Sequence, residues 1–420
     1  MNLANKKVTV IGAKRSGVAV ARLVARMQGR PRISDCGPAE IIRRELDGLL
    51  GTLNVDMELG RHSPQFIAES DLLVLSPGVR FDAQPVQWAR ERRIPVLGEI
   101  EFAWQFCRKP VIAVTGSNGK TTTATLIHQV LEKGGCSSCL CGNVGSAFSQ
   151  HVLDLERTDF VVLELSSFQL ESIVNFRPHI AVFLNFSQNH LDRHKDMQEY
   201  WDAKKRLFIN QTMNDFAVLN DQAPRMKALA KELKAKIHFF NSLQQIEASG
   251  IHNPNFLAAL EVADILAIKR ERCHQAFQEF KGVEHRLEFV RTIQGVDFIN
   301  DSKSTTTEAT RWALQRSYRP LILICGGRDK NLDFSILAPL VRQKVKKLLA
   351  IGEAQDQLKN VFQKIVDTQV CGSLPEAVKR ARDLAREGDC VLLSPMCASF
   401  DMFDNYEQRG RVFKELVMKL

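Results

Sequence analysis

The sequence predicts an α/β protein of three domains, each a parallel sheet with helices on both faces. Three observations carry that expectation. With 420 residues the chain exceeds one compact core, and at about 150 residues per domain it divides into two or three. A short β-branched run, a glycine-containing turn and a helical pattern follow one another three times. Strands alternate with helices along the chain, the order that sheets of parallel strands impose.

The first pass is Val8–Ile11, the turn Gly12-Ala-Lys-Arg-Ser-Gly17 and an amphipathic run through Met27. Leu72–Leu75 reads as a second buried strand, and a boundary falls near Gly98, before a helix over Glu99–Cys107. The second pass is Val111–Val114, Gly116-Ser-Asn-Gly-Lys120 and a helix through Glu132, with further strands at Phe160–Leu163 and Ile180–Leu184. A second boundary falls near Gly282, just ahead of His285-Arg286. The third pass is Leu321–Ile324 leading into Gly326-Gly-Arg-Asp-Lys330, with strands at Lys347–Ile351 and Cys390–Leu393. The expected domains are therefore 1–98, 99–282 and 283–420. Neither junction carries a Pro/Gly/Ser linker, and there is no low-complexity segment.

Composition narrows the function classes. Hydrophobic residues make up 45% and charged residues 25%, the ordinary balance of a globular protein. No apolar stretch approaches the roughly 20 residues that span a bilayer. Met1–Lys7 runs straight into the strand Val8–Ile11 with no apolar signal region, so the protein is expected to stay in the compartment where it is made, the cytoplasm. The ten cysteines are scattered, several in apolar runs, as Cys325 and Cys390 are. Cys136, Cys139 and Cys141 would make half a zinc site, but no second pair stands at a suitable spacing, and reduced thiols are expected instead. The net charge of +9 is spread, with Arg90, Arg92 and Arg93 on one expected helix and Lys344, Lys346 and Lys347 on another. Solvated helix faces are the expectation, rather than a nucleic-acid surface, with a general attraction for anionic substrates added.

Val111–Thr123 reads VIAVTGSNGKTTT. A buried strand delivers a turn whose N–H groups can face phosphate oxygens, Lys120 supplies a point charge, Thr121 can offer a hydroxyl to Mg²⁺, and the following helix adds its positive end. The usual phosphate loop has a glycine six positions before the lysine; Val114 stands there. Downstream, Glu164 sits at the carboxyl end of a parallel strand, the ligand-binding edge of such sheets, and can hold Mg²⁺. A helix cap is the other role for it, one that Ser166 or Ser167 would serve better. His190, Asp192 and His194 invite a transition-metal reading, although hard Mg²⁺ prefers oxygen. In the first pass, Gly12-x-Lys14-x-x-Gly17 followed by Asp35 is a near-dinucleotide fingerprint in which Lys14 replaces a glycine.

Gly116-Ser-Asn-Gly-Lys-Thr121 resembles the nucleotide loop of the Mur ligases and folylpolyglutamate synthetases, and the resemblance continues along nearly the whole chain. It implies Rossmann-like outer domains around a central P-loop-type ATPase domain, with ATP and Mg²⁺ as cofactors. Gly116, Ser117, Asn118, Gly119, Lys120, Thr121 and Thr122 would hold the ATP phosphates, and Asn143 would lie near the γ-phosphate. Thr121, Glu164, His190 and a carbamylated Lys204 would hold the metal, leaving Lys205 as an exposed neighbour and His194 as a surface residue that matches nothing. By composition alone, both lysines belong to a solvated helix face. Asn253 or Asn255 would meet adenine, in a segment one residue shorter than the family pattern, and Arg286 and Asp301 would reach ATP from the third domain. The first domain would hold a UDP-linked substrate through Arg15, Ser16, Asp35, Ser76 and Gly78, with Lys14 either on the diphosphate or in solvent.

Two segments, Glu164-Leu-Ser-Ser-Phe-Gln-Leu-Glu171 and Ser394–Gly410, are similar to those of the D-glutamate-adding members. They imply UDP-N-acetylmuramoyl-L-alanine and D-glutamate as substrates, the latter met by Lys303, Thr305, Lys330, Ser399, Phe400 and Tyr406. The implied enzyme is a monomer that forms an amide bond through an acyl phosphate, with no nucleic-acid or membrane partner. Three other readings stay open at this point: a sister ligase for another amino acid or a folate-polyglutamating enzyme, a nucleic-acid motor using the same loop, and an inactive nucleotide-binding protein. The joint presence of Lys120, Glu164, His190 and Lys204 argues against the last.

Overall fold

The computed structural model describes residues 1–40, 42–43, 46, 51, 53–188, 193–329 and 332–420, which fall into two compact units, Met1–Phe280 and Lys281–Leu420. The first unit holds two parallel sheets. Strands β1 (Lys7–Ile11), β2 (Arg30–Asp35), β3 (Asp56–Leu59), β4 (Leu72–Leu75) and β5 (Val96–Gly98) pair in the order β3-β2-β1-β4-β5. Strands β6 (Val111–Thr115), β7 (Ser138–Gly142), β8 (Phe160–Glu164), β9 (Ile180–Phe183), β10 (Phe216–Asn220) and β11 (Lys236–Phe240) pair in the order β11-β10-β9-β6-β8-β7. Every residue of β4, β6 and β9 is buried, as expected of continuous apolar strands covered on both faces. One apolar cluster runs from Val10 and Leu23 through Phe102 to Phe148 and Phe183, so the two sheets share a core. The Arg26–Asp154 ion pair, at 2.6 Å, crosses the same junction.

The second unit carries β12 (Glu288–Ile293), β13 (Val296–Asn300), β14 (Leu321–Gly326), β15 (Val345–Ile351), β16 (Asp367–Val370) and β17 (Cys390–Leu393), ordered β12-β13-β17-β14-β15-β16. Here the all-parallel expectation needs one correction: β12 and β13 form an antiparallel hairpin. Gln294 and Gly295 both take positive φ, 49° and 74°, which closes a two-residue turn and leaves no crossover.

The charge runs are also placed differently. Arg90 lies in the helix Gln84–Glu91, but Arg92 is its C-cap and Arg93 follows in a left-handed conformation, φ 54°. Lys344 ends the helix Ala338–Lys344, whereas Lys346 and Lys347 belong to β15, paired with Asp389 and Asp367. Their charge is spent on local ion pairs. Among the described residues no helix is long and apolar enough to cross a membrane. The ten cysteines are free thiols.

Both sheets of the first unit reverse strand order around their first strand, β1 between β2 and β4, and β6 between β8 and β9. Such a reversal opens a crevice beyond the carboxyl ends of the strands. The candidate residues of that unit cluster there.

Candidate active site

Buried β6 ends at Thr115, and the chain turns through Gly116 (φ 157°) and Gly119 (φ 82°) into the helix Lys120–Lys133. A side chain at Gly119 would also put a Cβ 2.4 Å from Asn255 Oδ1. Asn185, just past β9, shapes this loop. Its carbonyl accepts from Ser117 N at 3.0 Å, its Oδ1 accepts from Asn118 N at 2.9 Å, and its Nδ2 donates to Asn118 O at 3.0 Å. Ser117 Oγ donates to Ser187 O at 3.0 Å and lies 3.1 Å from the Tyr200 hydroxyl. Lys120 Nζ folds back on the loop, donating to Gly116 O at 2.9 Å and Ser117 O at 3.0 Å. Thr121 is buried in the first helical turn and Thr122 half-buried beside it. Val114 occupies the place of the missing glycine as an inner residue of β6, paired with Glu164 and Val182. The turn simply begins later.

Glu164 ends β8 and is 1% exposed. Its Oε1 accepts from Asn143 Nδ2 at 2.7 Å, while its buried Oε2 has no hydrogen bond among the described residues. An orphaned buried carboxylate oxygen costs stability unless something else meets it. The capping role goes to Ser166, which forms a capping box with Gln169. Asn143 connects the end of β7 to Glu164 by backbone and side chain.

Lys204, on the helix Met197–Lys205, is also 1% exposed, so the solvated face that composition suggests is not where it lies. Its Nζ donates to Gly116 O at 2.9 Å and Thr115 Oγ1 at 3.3 Å, and stands 4.8 Å over the Tyr200 ring. Burial holds the ammonium well below its ordinary pKa; nearby Lys120 pushes the same way and Glu164 opposes. Lys205 is half-exposed and paired with Glu232 at 2.6 Å.

His190, like Asp192 and Lys330, lies outside the described residues. His194 overturns the expectation of a surface residue: it is 2% exposed, its Nε2 is 2.9 Å from Ser167 Oγ, and its ring packs on Phe168 and Tyr200. Phe168 comes from a distant segment and Tyr200 from the helix that follows, so the polar stretch around His194 misleads.

In the first sheet's crevice, Arg15 and Ser16 open the helix Arg15–Arg26. Gly12 (φ 99°) receives Ser76 Oγ on its carbonyl at 3.0 Å. Asp35 ends β2 and accepts from Ala13 N at 2.7 Å and Gly37 N at 2.8 Å. Gly78 O accepts from Arg193 at 3.1 Å. Lys14 is exposed at the head of the helix. Asn253 is the N-cap of the helix Pro254–Ile265, whereas the Asn255 side chain faces the loop, 3.3 Å from Thr123 Oγ1.

In the second unit, β13 and β17 pair in register, which puts the turn Asp301–Thr305 beside the turn Ser394–Ser399. Met396 N donates to Ser304 O at 2.9 Å across them. Lys303 Nζ is 5.5 Å over the Tyr406 ring, Thr305 is half-buried, Ser399 buried and Phe400 53% exposed. Arg286 is half-buried next to His285, which is buried with φ 64°. Asp301, 2% exposed, accepts from Leu287 N, Ser304 Oγ and Ser394 Oγ. Burial raises its carboxyl to about 6, against these hydrogen bonds and Arg286. An unfolded Asp titrates near ~3.9. The native state therefore holds the extra proton between about pH 4 and 6, and stability falls as pH rises through that window, by up to about 3 kcal/mol. Asp301→Asn is expected to flatten this slope; an unchanged thermal midpoint profile from pH 4 to 7 would refute it.

Comparisons with known proteins bear on this geometry. The Mur ligase middle domain matches residues 114–275, the Mur ligase glutamate ligase domain matches 285–397, and the MurD-like N-terminal domain matches 6–98. A UDP-N-acetylmuramoylalanine--D-glutamate ligase of Geotalea uraniireducens is 39% identical over 448 residues, covering 100% of this chain and 99% of its own. One of Thermoanaerobacter sp. strain X514 is 37% identical over 453 residues, covering all of both chains. The chain belongs to the Mur ligase family. In fold it is similar to the UDP-N-acetylmuramate-alanine ligase MurC of Thermotoga maritima, with a TM-score of 0.61 at 18% identity, covering 99% of this chain and 100% of that one.

In this Mur ligase, then, Lys120, Thr121, Asn143, Glu164 and Lys204 converge on one loop, while Lys303, Thr305 and Ser399 lie on two adjacent turns of the second unit, with Tyr406 at the head of the helix Tyr406–Met418 beneath Lys303. Sequence reasoning missed Asn185, which holds the loop, and Arg409. The latter is fully buried. Its guanidinium donates to Ser302 Oγ at 3.0 Å and Ser302 O at 2.9 Å, and reaches Cys397 O and Ala398 O. It therefore clamps the two turns together. Burial lowers it to about 10, so it stays charged at neutral pH. The available signal was Gly327 and Gly410: at the first a Cβ would lie 2.2 Å from Ala398 O, at the second 2.3 Å from His285 Nδ1.

Proposed function

We propose that this Mur ligase joins D-glutamate to UDP-N-acetylmuramoyl-L-alanine, consuming ATP, in the cytoplasmic synthesis of peptidoglycan precursors. The observation that carries the reading is the full-length 39% identity to a ligase named for that reaction. The site supports it with an anion loop, a cation beside it and a buried carboxylate. Residues 1–98 bind the nucleotide sugar through Arg15, Ser16, Asp35, Ser76 and Gly78. Residues 99–282 bind ATP, with Asn253 or Asn255 meeting adenine. Residues 283–420 bring the amino acid through Lys303, Thr305, Lys330, Ser399, Phe400 and Tyr406, and reach ATP through Arg286 and Asp301. In this reading the ligase acts as a monomer. Nucleotide substrates and ten unpaired thiols fit a reducing cytoplasm.

In the proposed reaction a carboxylate oxygen of the L-alanyl group attacks the γ-phosphorus in line. The bond from phosphorus to the ADP oxygen breaks, leaving an acyl phosphate. The amine of D-glutamate adds to the acyl carbon, and the tetrahedral species expels phosphate with the C–O electron pair. The nitrogen loses its proton, and amide, ADP and phosphate result. Lys120 and the loop N–H groups of residues 119–121, at the head of the helix, neutralise and orient the transferring phosphoryl group, and Asn143 holds Glu164 in place. The donor set fits Mg²⁺ in part as it stands. Glu164 Oε2 is a buried, unmet oxygen ligand and Thr121 a hydroxyl, with His190 in addition, whereas the Lys204 amine must become a carbamate to serve. Bound there, Mg²⁺ supplies charge neutralisation at the phosphates.

The test is phosphate release by purified protein with MgATP and UDP-N-acetylmuramoyl-L-alanine, comparing D-glutamate, L-glutamate, L-lysine and meso-diaminopimelate. Release with D-glutamate alone, with the amide seen by mass, is expected. Release with another amino acid would overturn the specificity, and silence with all four the ligase reading.

A further inference from the structure

Arg193 and His194 sit where three segments of the site meet, and nothing in the proposed chemistry uses them. The Arg193 guanidinium donates to Gly78 O at 3.1 Å and Val79 O at 3.4 Å, and Arg80 returns a hydrogen bond to Arg193 O at 3.1 Å. The same guanidinium donates to Glu171 Oε2 at 3.1 Å and lies 4.7 Å over the Phe168 ring. Next to it, His194 Nε2 meets Ser167 Oγ at 2.9 Å while Nδ1 is 3.7 Å from Glu171 Oε1. Ser167 opens the short helix that follows Glu164, and Tyr200, packed on the His194 ring, shares a hydrogen bond with Ser117 of the phosphate loop.

The Ser167–His194–Glu171 connectivity has the order of a nucleophile, a base and an orienting acid. Ser167 at 1% and His194 at 2% exposure cannot receive a substrate, so the trio positions rather than reacts. What it positions is specific. One end of the pair grips the turn Ser76–Val79 and the other grips the turn after Glu164, and the pair lies in the chain between His190 and Lys204.

We infer that Arg193 and His194 are positioning residues that couple the nucleotide-sugar turn to the metal-bearing turn, so that acceptor binding and divalent-cation binding strengthen each other. This rests on the ligase reading, in that Ser76–Gly78 is taken as an acceptor contact and Glu164 as a metal ligand. A single planar fork spanning Gly78 O and Glu171 is the coupling element, and a lysine ammonium cannot span both.

Coupling of binding is reciprocal, which makes it measurable without turnover. Mn²⁺ affinity of the full-length protein is followed by electron paramagnetic resonance with a non-hydrolysable ATP analogue, with and without UDP-N-acetylmuramoyl-L-alanine. In the natural protein the acceptor is expected to tighten Mn²⁺ by about tenfold, and Mn²⁺ to tighten the acceptor equally. Arg193→Lys is expected to reduce this to less than about twofold and to raise the acceptor KM more than it lowers kcat. His194→Phe keeps the ring packing but loses the bond to Ser167, and should weaken Mn²⁺; His194→Gln, which can place an acceptor near Nε2, should restore it. Full coupling in Arg193→Lys and His194→Phe, or none in the natural protein, overturns the inference. Equal losses in His194→Phe and His194→Gln with normal coupling would reduce the pair to a structural role. If the coupling is present but no amide forms with D-glutamate, the ligase reading fails and the coupling stands.

Discussion

Lys120→Ala is expected to lower amide formation by about 10³-fold or more while leaving the protein folded. The folding part follows from what Lys120 does at rest. It donates to two loop carbonyls, Gly116 O and Ser117 O, from a half-buried position where water can replace it, so the loss is about 1 kcal/mol. The catalytic part follows from charge. A unit charge about 4 Å from a phosphate oxygen in a partly buried site is worth about 4 kcal/mol, about three decades in rate. The substitution also acts at a second place. Lys120 is one of the groups that hold the Lys204 amine below its ordinary pKa, so removing it lets Lys204 take up a proton at higher pH. The optimum of any residual activity should therefore move to higher pH. Initial rates of phosphate release over pH 6.5–9 check both parts. Activity above about a tenth of the natural rate would take the loop out of the mechanism.

The parts of the fold that were legible are local. Val111–Thr115, a run of small and β-branched residues ended by glycine, can hardly be anything but a buried strand feeding a turn, and β6 is fully buried. Leu72–Leu75 and Cys390–Leu393 were bounded in the same way and coincide with β4 and β17. The illegible parts depend on partners far along the chain. Lys204 reads as solvent because nothing in Trp-Asp-Ala-Lys-Lys announces that its helix lies against the carbonyl of Gly116. The trace it leaves is Tyr200, one turn earlier and fully buried. His194 misled for the same reason in part, since one of its covering rings, Phe168, comes from before β9, while the other, Tyr200, lies on the next helix. Arg409 stands between Gln408 and Gly410 in the helix Tyr406–Met418 and looks like any surface arginine. Its burial follows from the register of β13 against β17, which brings two turns with outward carbonyls around it. Lys346 was read with the preceding helix because charge runs carry no period, and Lys347 was read both there and as the start of the strand Lys347–Ile351; β15 begins earlier, at Val345, and its Leu348–Ile351 lie against β14.

Lys204 should be inactive as an ammonium and active as a carbamate, and the structure bears on how easily it converts. A carbamate forms when the neutral amine's lone pair attacks the carbon of carbon dioxide and the nitrogen loses a proton, turning a charge of plus one into minus one. An exposed lysine is almost wholly protonated at neutral pH. Burial holds Lys204 well below its ordinary pKa, with Lys120 assisting, so the neutral fraction at pH 7–8 is larger and grows as pH rises. Once formed, the anion would stand near the cation Lys120 and share the pocket with Glu164, whose unmet Oε2 already calls for a positive partner. Two anions and a divalent cation balance there; an ammonium and a divalent cation would repel. Lys204→Arg, a fixed cation that cannot be carbamylated, is therefore expected to lower activity by about 10²–10³-fold. Depleting carbon dioxide near pH 6 should silence the natural enzyme, and bicarbonate at pH 8 should restore it. Carbon-13 bicarbonate provides the direct readout: a carbamate resonance in the natural protein that is missing from Lys204→Arg. Full activity in Lys204→Arg, or recovery without bicarbonate, would mean that the buried amine serves only to hold the loop through Gly116 O and Thr115 Oγ1.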